Sequence, residues 1–136
     1  MKEILTEWLR VKGYTVEDAG AATLDADDDY PDFGAAVGRA VASRADTFGI
    51  ILCGSGAGIA VAANKIAGAR AVAATEPAIV RAARRDDDVN ILAIAADYTT
   101  EDMTKILTAI FLETPFSAEE RFQRRLQKIQ QLEHAH

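Results

Sequence analysis

One stretch, residues 48–65, constrains the fold of this chain more than any other. It reads FGIILCGSGAGIAVAANK, which is a short apolar run, then three glycines within five residues, then small and apolar residues. The run Phe48–Leu52 is typical of a buried strand, and the alanine-rich run after Gly58 is typical of a tightly packed helix. The stretch therefore predicts a buried strand that turns through glycines directly into a helix.

The glycine turn between this strand and helix, Gly54–Gly58, is a candidate ligand site. Such a turn leaves backbone N–H groups at a helix N-terminus, which attract anions, and glycine lets a ligand approach the backbone closely. Cys53 stands at the carboxyl end of the strand, where open α/β sheets bind ligands, and Ser55 offers a hydroxyl inside the turn. Because the pattern matches neither the dinucleotide fingerprint nor the P-loop, a plain strand-to-helix turn is an equal alternative.

Composition excludes several classes of protein. The 136 residues suffice for one domain with a core, and no apolar run is long enough to span a membrane. A net charge of -6 disfavours nonspecific binding to nucleic acid, although local arginines and N–H groups still permit a small anionic ligand. With one cysteine and no visible signal peptide, the chain is expected to be cytoplasmic.

The rest of the chain alternates predicted helices and strands. Helices are predicted over 1–12, 31–43, 77–85 and 117–133, with another capped by Thr99 or Thr100, and further strands over 14–18, 69–74 and 90–95. About four strands alternating with helices predict an α/β fold, a Rossmann-like doubly wound parallel sheet in three α/β/α layers with right-handed crossovers.

Three charged or amphipathic segments are predicted to have structural roles and not to form part of the site. The acidic run of residues 25–29 lacks EF-hand spacing and is expected to be a solvated loop without metal. The arginines of the helix over 77–85, and Arg84 among them, are expected on a solvated face. The last helix is predicted to start with a capping box at Ser117, and its sparse apolar residues are expected to pack on a second subunit: Phe122, Leu126, Ile129 and Leu132.

Four segments, in this order, resemble the ribose-5-phosphate isomerase B family (the RpiB/LacA/LacB sugar-phosphate isomerases). They are DDDYPDF, ILCGSGAGIAVAANKIAGARA, DDDVNIL and ETPFSAEERFQRRLQKI. The resemblance covers Lys2 to about Ile129 and implies a single isomerase domain over 1–136. It also implies that the domain is N-terminally incomplete, because the family begins with a strand ending in Asp-His-x-Gly and Lys2 matches the helix after it.

The resemblance implies interconversion of a phosphorylated aldose and its ketose through a cis-enediolate, with no metal or organic cofactor. By matching position, Cys53 would be the base and Asp86 would stand where the family has its ring-opening histidine. Ser55 would contact the sugar, and the turn would supply the amides of an anion hole: Gly54, Gly56, Ala57 and Gly58. The plainer alternative for Cys53 is a small buried apolar residue.

The remaining implied contacts are with the substrate's sugar and phosphate. Tyr30 and Asn64 match substrate-side residues, although Asn64 could equally make a helix-end hydrogen bond. Arg121 and Arg125 match two phosphate-binding arginines that the family draws from, or packs close to, the partner subunit's tail. The resemblance therefore implies a homodimer or higher homo-oligomer.

Several positions depart from the family pattern. Asp86 replaces the histidine, Phe122 replaces a tail histidine, and Asp97 replaces a phosphate-binding arginine, so its carboxylate would repel phosphate. The sequence therefore leaves two alternatives to an active isomerase, whose sugar phosphate it does not identify. One is a non-catalytic homologue or partner subunit of a heteromeric isomerase, and the other is a small nucleotide- or phosphate-binding module.

Overall fold

The computed structural model describes residues 1–20, 25 and 27–135, so the acidic loop predicted around residues 19–29 lies partly outside the described residues. Its elements in chain order are α1 (Lys2–Val11), α2 (Tyr30–Ser43), β1 (Gly49–Cys53), α3 (Ala57–Ala63), β2 (Ala71–Ala73), α4 (Pro77–Asp87), β3 (Ile91–Ala95), α5 (Glu101–Glu113) and α6 (Glu120–Glu133). None of the helices described is long and apolar enough to cross a membrane.

The strands form one parallel sheet in the order β1-β3-β2, with β3 buried along its whole length. Because side chains alternate across a strand, Leu92 and Ile94 face one side and pack with α1, α4 and α5. Ile91 and Ala93 face the other side and pack with α2 and α3. Helices thus cover both faces of the sheet, and the predicted three-layer α/β fold is confirmed.

The strand predicted over Tyr14–Asp18 is wrong. This segment is exposed apart from Val16, and no described strand pairs with it. Its charged residues instead form salt bridges with residues of α1 and of the segment after α2. Glu17 lies 2.7 Å from the Arg44 guanidinium, and Asp18 lies 3.0 Å from the Lys2 ammonium. Extended residues count as a strand only when a neighbouring strand accepts and donates their backbone hydrogen bonds.

Arg84 is also placed differently from its prediction, because it is buried rather than solvated. Its guanidinium donates to the backbone carbonyls of Val89 and Thr114 and to the carboxylate of Asp88. The planar group also lies over the ring of Phe48, with 4.8 Å between Cζ and the ring centroid. A buried charge is tolerated when its donors are satisfied in this way, so Arg84 joins α4 to the chain before β3 and after α5.

Helix α6 begins at Glu120 rather than at Ser117, and the predicted capping box does not form. Ala118 adopts a left-handed φ of 55°, and the Ser117 N–H donates to the carbonyl of Arg85 at the end of α4. At the other end of α6, Glu133 accepts a hydrogen bond from the N–H of Gly68, just before β2. Both attachments lie beside the N-terminal ends of strands, so α6 runs along that edge of the sheet.

Candidate functional site

The turn between β1 and α3 has a conformation that its glycines make possible. Gly56 has a φ of 77°, in the left-handed region that residues with a Cβ atom rarely adopt. A Cβ atom there would also lie 3.3 Å from the backbone nitrogen of Ala95. The Ser55 hydroxyl accepts a hydrogen bond of 3.3 Å from the N–H of Ala57 and so supports the first turn of α3.

The backbone N–H groups of this turn are available to a ligand. In the part of the chain that the structure describes, the N–H groups of Gly54, Ser55, Gly56 and Gly58 donate to no acceptor. By contrast, the carbonyls of Cys53 and Gly54 accept hydrogen bonds from the two residues that follow β3. The turn is therefore held to the sheet by its carbonyl groups while its N–H groups remain unpaired.

Cys53 and Tyr30 border the same turn. Cys53 ends β1, is half-buried as a free thiol, and packs with the cluster between the sheet and helices α2 and α3. Tyr30 opens α2, and its ring lies against Gly58, because a Cβ atom on Gly58 would lie 2.6 Å from the Tyr30 hydroxyl oxygen. The structure thus brings together seven predicted site residues at the carboxyl edge of the sheet: Tyr30, Cys53, Gly54, Ser55, Gly56, Ala57 and Gly58.

Asp97, which stands where the resemblance implies a phosphate-binding arginine, also lies at this edge. Its N–H donates to the Gly54 carbonyl over 3.1 Å, and a Cβ atom on Gly54 would lie 2.8 Å from its carboxylate oxygen. In the sequence, Asp97 comes two residues after the buried run of β3. Its contact with Gly54 follows only from the pairing of β1 with β3, which the sequence does not show.

Asn64 lies at the other end of α3 and does not reach the turn. Its side-chain Nδ2 donates to the Ala71 carbonyl over 2.9 Å, and its Oδ1 accepts from the Ala71 N–H over 2.7 Å. Ala71 begins β2, at the N-terminal edge of the sheet. The helix-end alternative therefore describes Asn64 in this structure, because both sides of its amide are engaged by the backbone.

Asp86, Arg121 and Arg125 form a second group at the N-terminal edge. Asp86 accepts a hydrogen bond of 2.7 Å from Arg85, and this bond lowers the pKa of the Asp86 carboxyl. The charges of Arg121 and Arg125 lower that pKa further. Both arginines lie in the first turns of α6, which follows Ser117, and the Ser117 N–H donates to the Arg85 carbonyl at the end of α4. Both guanidinium groups are exposed and lie beside the ring of Phe122.

The two groups of predicted site residues are separated by the length of the sheet. A strand of five residues such as β1 spans about 13 Å, with Cys53 at one end and the α6 arginines beyond the other. The carboxyl-edge group can combine a thiol, unpaired N–H donors and a phenol. The other group offers two cations with the geometry for a phosphate. Among described residues, no cluster of three or more histidine, cysteine or acidic side chains is arranged to hold a metal.

Comparison with known proteins identifies sequence relatives over almost the whole chain. The family model for Ribose/Galactose Isomerase matches residues 1–129. The probable ribose-5-phosphate isomerase B of Mycoplasma genitalium is 35% identical over 130 residues, which cover 95% of this chain and 85% of that protein. The ribose-5-phosphate isomerase B of Mycobacterium tuberculosis is 33% identical over 136 residues, covering 100% of this chain and 84% of the relative.

Solved structures show the same similarity in three dimensions. The crystal structure of ribose-5-phosphate isomerase B from Mycoplasma genitalium with bound ribulose-5-phosphate superposes with a TM-score of 0.93 at 34% identity, covering 99% of this chain and 89% of that one. The Thermotoga maritima ribose 5-phosphate isomerase gives a TM-score of 0.89 at 35% identity, covering 96% and 88%.

Proposed function

Because this chain belongs to the ribose/galactose isomerase family, we propose that it interconverts ribose 5-phosphate and ribulose 5-phosphate through a cis-enediolate. The observation that carries the proposal is the turn after β1, where unpaired N–H groups lie beside the half-buried thiol of Cys53. Proton abstraction next to a carbonyl needs a base, which the thiol can provide. The negative charge then accumulates on the carbonyl oxygen, where N–H donors can stabilise it. A single cysteine used as a thiol also suits a reducing cytoplasm.

In the proposed reaction, Cys53 as a thiolate removes the proton from C2 of the open-chain aldose. The C2–H electron pair forms the double bond of the enediolate, and the carbonyl oxygen at C1 takes up the charge. The N–H groups of Gly54, Gly56 and Gly58, which have no acceptor among the described residues, would hydrogen-bond that oxygen. Return of the proton to C1, with transfer of the hydroxyl proton from O2 to O1, gives the ketose.

We further propose that the active enzyme is a homodimer or higher homo-oligomer in which one subunit's turn faces the partner's α6. Arg121 and Arg125 lie on α6, which runs along the sheet edge opposite to Cys53, so one subunit does not bring its own arginines to its own thiol. Helix α6 also exposes Ile129 and Leu132, the latter to 68%. Burying that apolar stripe against a second copy would stabilise the assembly.

The direct test of the proposed function is ribose 5-phosphate incubated with the chain in heavy water and followed by proton NMR. An isomerase replaces the C2 proton with deuterium and produces ribulose 5-phosphate. Absence of both changes in a folded sample would contradict the function. Ribose 5-phosphate that binds without reacting would favour a non-catalytic homologue, and tight nucleotide binding instead would favour a phosphate-binding module.

A shared site predicts complementation between two inactive variants. Cys53→Ala removes the base and Arg125→Ala removes a phosphate ligand, so each homodimer should be nearly inactive. In a mixed dimer both lesions fall in the same site, which leaves the other site intact, so the purified mixed dimer should have about half of the wild-type rate. The measurement is the isomerisation rate after co-expression of differently tagged chains, with purification through both tags.

Each variant co-expressed with a second copy of itself serves as the control for that experiment. If mixed dimers are isolated and stay as inactive as the controls, the two residues act in the same subunit or in no common site. The shared-site proposal would then be wrong, although Cys53 could still be the base.

Gly58→Ala should disturb the site without unfolding the chain. The new methyl group would lie 2.6 Å from the Tyr30 ring, and Tyr30 is 45% exposed, so the ring can swing into solvent. Alanine stabilises a helix by about 1 kcal/mol relative to glycine, so we expect little change in the free energy of unfolding. We expect kcat/KM to fall about tenfold, because one positioned substrate contact is lost.

A double-mutant cycle with Tyr30→Ala identifies the cause of that loss. If Gly58→Ala acts by displacing the ring, it should have no further effect on kcat/KM once the ring is removed. Additive losses in the double variant would show that the methyl group blocks the turn itself.

A further inference from the structure

The carboxylate of Asp86 has both of its oxygens engaged by one neighbour. Nε of Arg85 donates to Oδ1 over 2.7 Å, and Nη2 of Arg85 donates to Oδ2 over 3.0 Å. This pairing with Arg85 lowers the pKa of the Asp86 carboxyl, so at neutral pH the group has no proton to give. Arg85 does not supply one either, because a guanidinium keeps its protons in proteins.

Asp86 nevertheless lies where the proposed assembly would place it at the sugar. The Arg85 carbonyl accepts a hydrogen bond from the Ser117 N–H, just before α6. The end of α4 therefore lies beside the start of the helix that faces the partner's turn in that assembly. A proton donor at this position could reach a bound sugar together with the two arginines of α6.

A sugar ring needs a proton donor in order to open. In the five-membered ring of an aldose phosphate, the C1–O4 bond breaks, O4 takes up a proton, and the hydroxyl at C1 loses one to leave the aldehyde. A group that ionises near neutral pH catalyses this exchange best, as an imidazole does. The histidines of this chain are His134 and His136, and His134 lies about 20 Å along α6 from Arg121.

The residues described at the glycine turn supply no such donor. Cys53 takes the C2 proton in the proposed reaction. Ser55 and Tyr30 carry hydroxyl groups, a type that gives up protons poorly at neutral pH, and Asp97 carries a carboxyl, a type that is ordinarily ionised there. Proton abstraction at C2 is therefore provided for in this chain, whereas protonation of a ring oxygen is not.

We propose that this chain binds its sugar phosphate in the open-chain form and therefore favours aldose phosphates that cannot close a ring; this inference rests on the isomerase function proposed above. Aldotetrose 4-phosphates are that class. Their 4-hydroxyl carries the phosphate, and closure through the 3-hydroxyl would give a strained four-membered ring. Arg121 and Arg125 are long and exposed, so they can follow a phosphate that lies one carbon nearer to the aldehyde.

Ribose 5-phosphate, by contrast, closes through its 4-hydroxyl, so its open-chain form is the minor one in solution. Apparent affinity falls in proportion to the fraction of molecules in the competent form. We expect kcat/KM for dilute D-erythrose 4-phosphate to exceed that for ribose 5-phosphate by about tenfold or more. An equal or lower value would overturn the preference for substrates without a ring.

The dependence of the rate on the concentration of the full chain tests the use of the open-chain form directly. Ribulose 5-phosphate cannot close a five-membered ring, because its 5-hydroxyl carries the phosphate, so its conversion should rise in proportion to the chain concentration. The rate from ribose 5-phosphate should instead level off at the rate of spontaneous ring opening. That limit is measured without the chain, by NMR exchange between the two anomers.

A rate from ribose 5-phosphate that exceeds spontaneous ring opening would show that the chain opens the ring, and would overturn this inference alone. A folded chain that converts neither ribulose 5-phosphate nor D-erythrose 4-phosphate would contradict the isomerase function itself. The two failures are thus distinguishable.

Asp86→His tests the position of the missing donor. An imidazole both donates and accepts a proton near neutral pH, so the rate from ribose 5-phosphate should rise above the limit reached by the wild type. Asp87→His is the matched control, because Asp87 is exposed at the same end of α4 and the charge change is equal; its limit should stay at the wild-type value. An unchanged limit in folded Asp86→His would overturn the role of this position.

Discussion

Replacement of Cys53 by alanine should lower the rate of C2-proton exchange by about a thousandfold, the size of effect that general-base catalysis supports. Cys53 ends β1 and is half-buried, with its carbonyl accepting a 2.8 Å hydrogen bond from the Ala96 N–H. That bond belongs to the backbone and persists in the variant, so the glycine turn should keep its position. The measurement is deuterium incorporation into ribose 5-phosphate by proton NMR.

Cys53→Ser is the closer control for shape, because a hydroxyl replaces a thiol of similar size. Its rate should also be low, since a serine hydroxyl ionises far less readily than a thiol at neutral pH. Because Cys53 is the only cysteine in the chain, alkylation with iodoacetamide modifies a single known thiol. It should inactivate the wild type and be slowed by ribose 5-phosphate. Exchange that stays within tenfold of wild type in Cys53→Ala would assign the base to another group.

The elements around the candidate site could be predicted because their signals are local. The apolar run before Cys53 and the glycines after it predict a strand, a turn and a helix, and the structure has β1 and α3 on either side of that turn. Thr100 caps α5 as its side-chain type suggests, by accepting a hydrogen bond from the Met103 N–H. These features depend on residues a few positions apart, which the sequence shows directly.

The features that sequence analysis missed depend on residues far apart in the chain. The segment 14–18 has the composition of a strand, but pairing requires a neighbour that composition cannot supply. Asp97 reaches Gly54 only because β1 and β3 are adjacent in the sheet order. The separation of Cys53 from Arg121 likewise follows from the path of α6 along the opposite edge, which no short motif encodes.

The burial of Arg84 also depends on residues far apart in the chain, and sequence analysis did not predict it. Replacing Arg84 gives the largest expected loss of stability. Arg84→Ala should lower the free energy of unfolding by about 3 kcal/mol, because it leaves buried acceptors without a donor. The carbonyl of Val89 would lose a bond of 2.6 Å, and that of Thr114 one of 3.2 Å. The contacts of the guanidinium with two aromatic rings would also be lost, namely those with Phe48 and Phe111.

Arg81→Ala is the matched control for this loss, since Arg81 lies on the same helix but is exposed. Its free energy of unfolding, measured by urea denaturation, should stay within about 0.5 kcal/mol of the wild type. Arg84→Lys keeps the charge but loses the planar fork that reaches several acceptors at once, so it should fall between the two. If Arg84→Ala proves as stable as Arg81→Ala, the buried hydrogen bonds of Arg84 do not stabilise α4, and the original expectation of a solvated arginine would describe its energetics better.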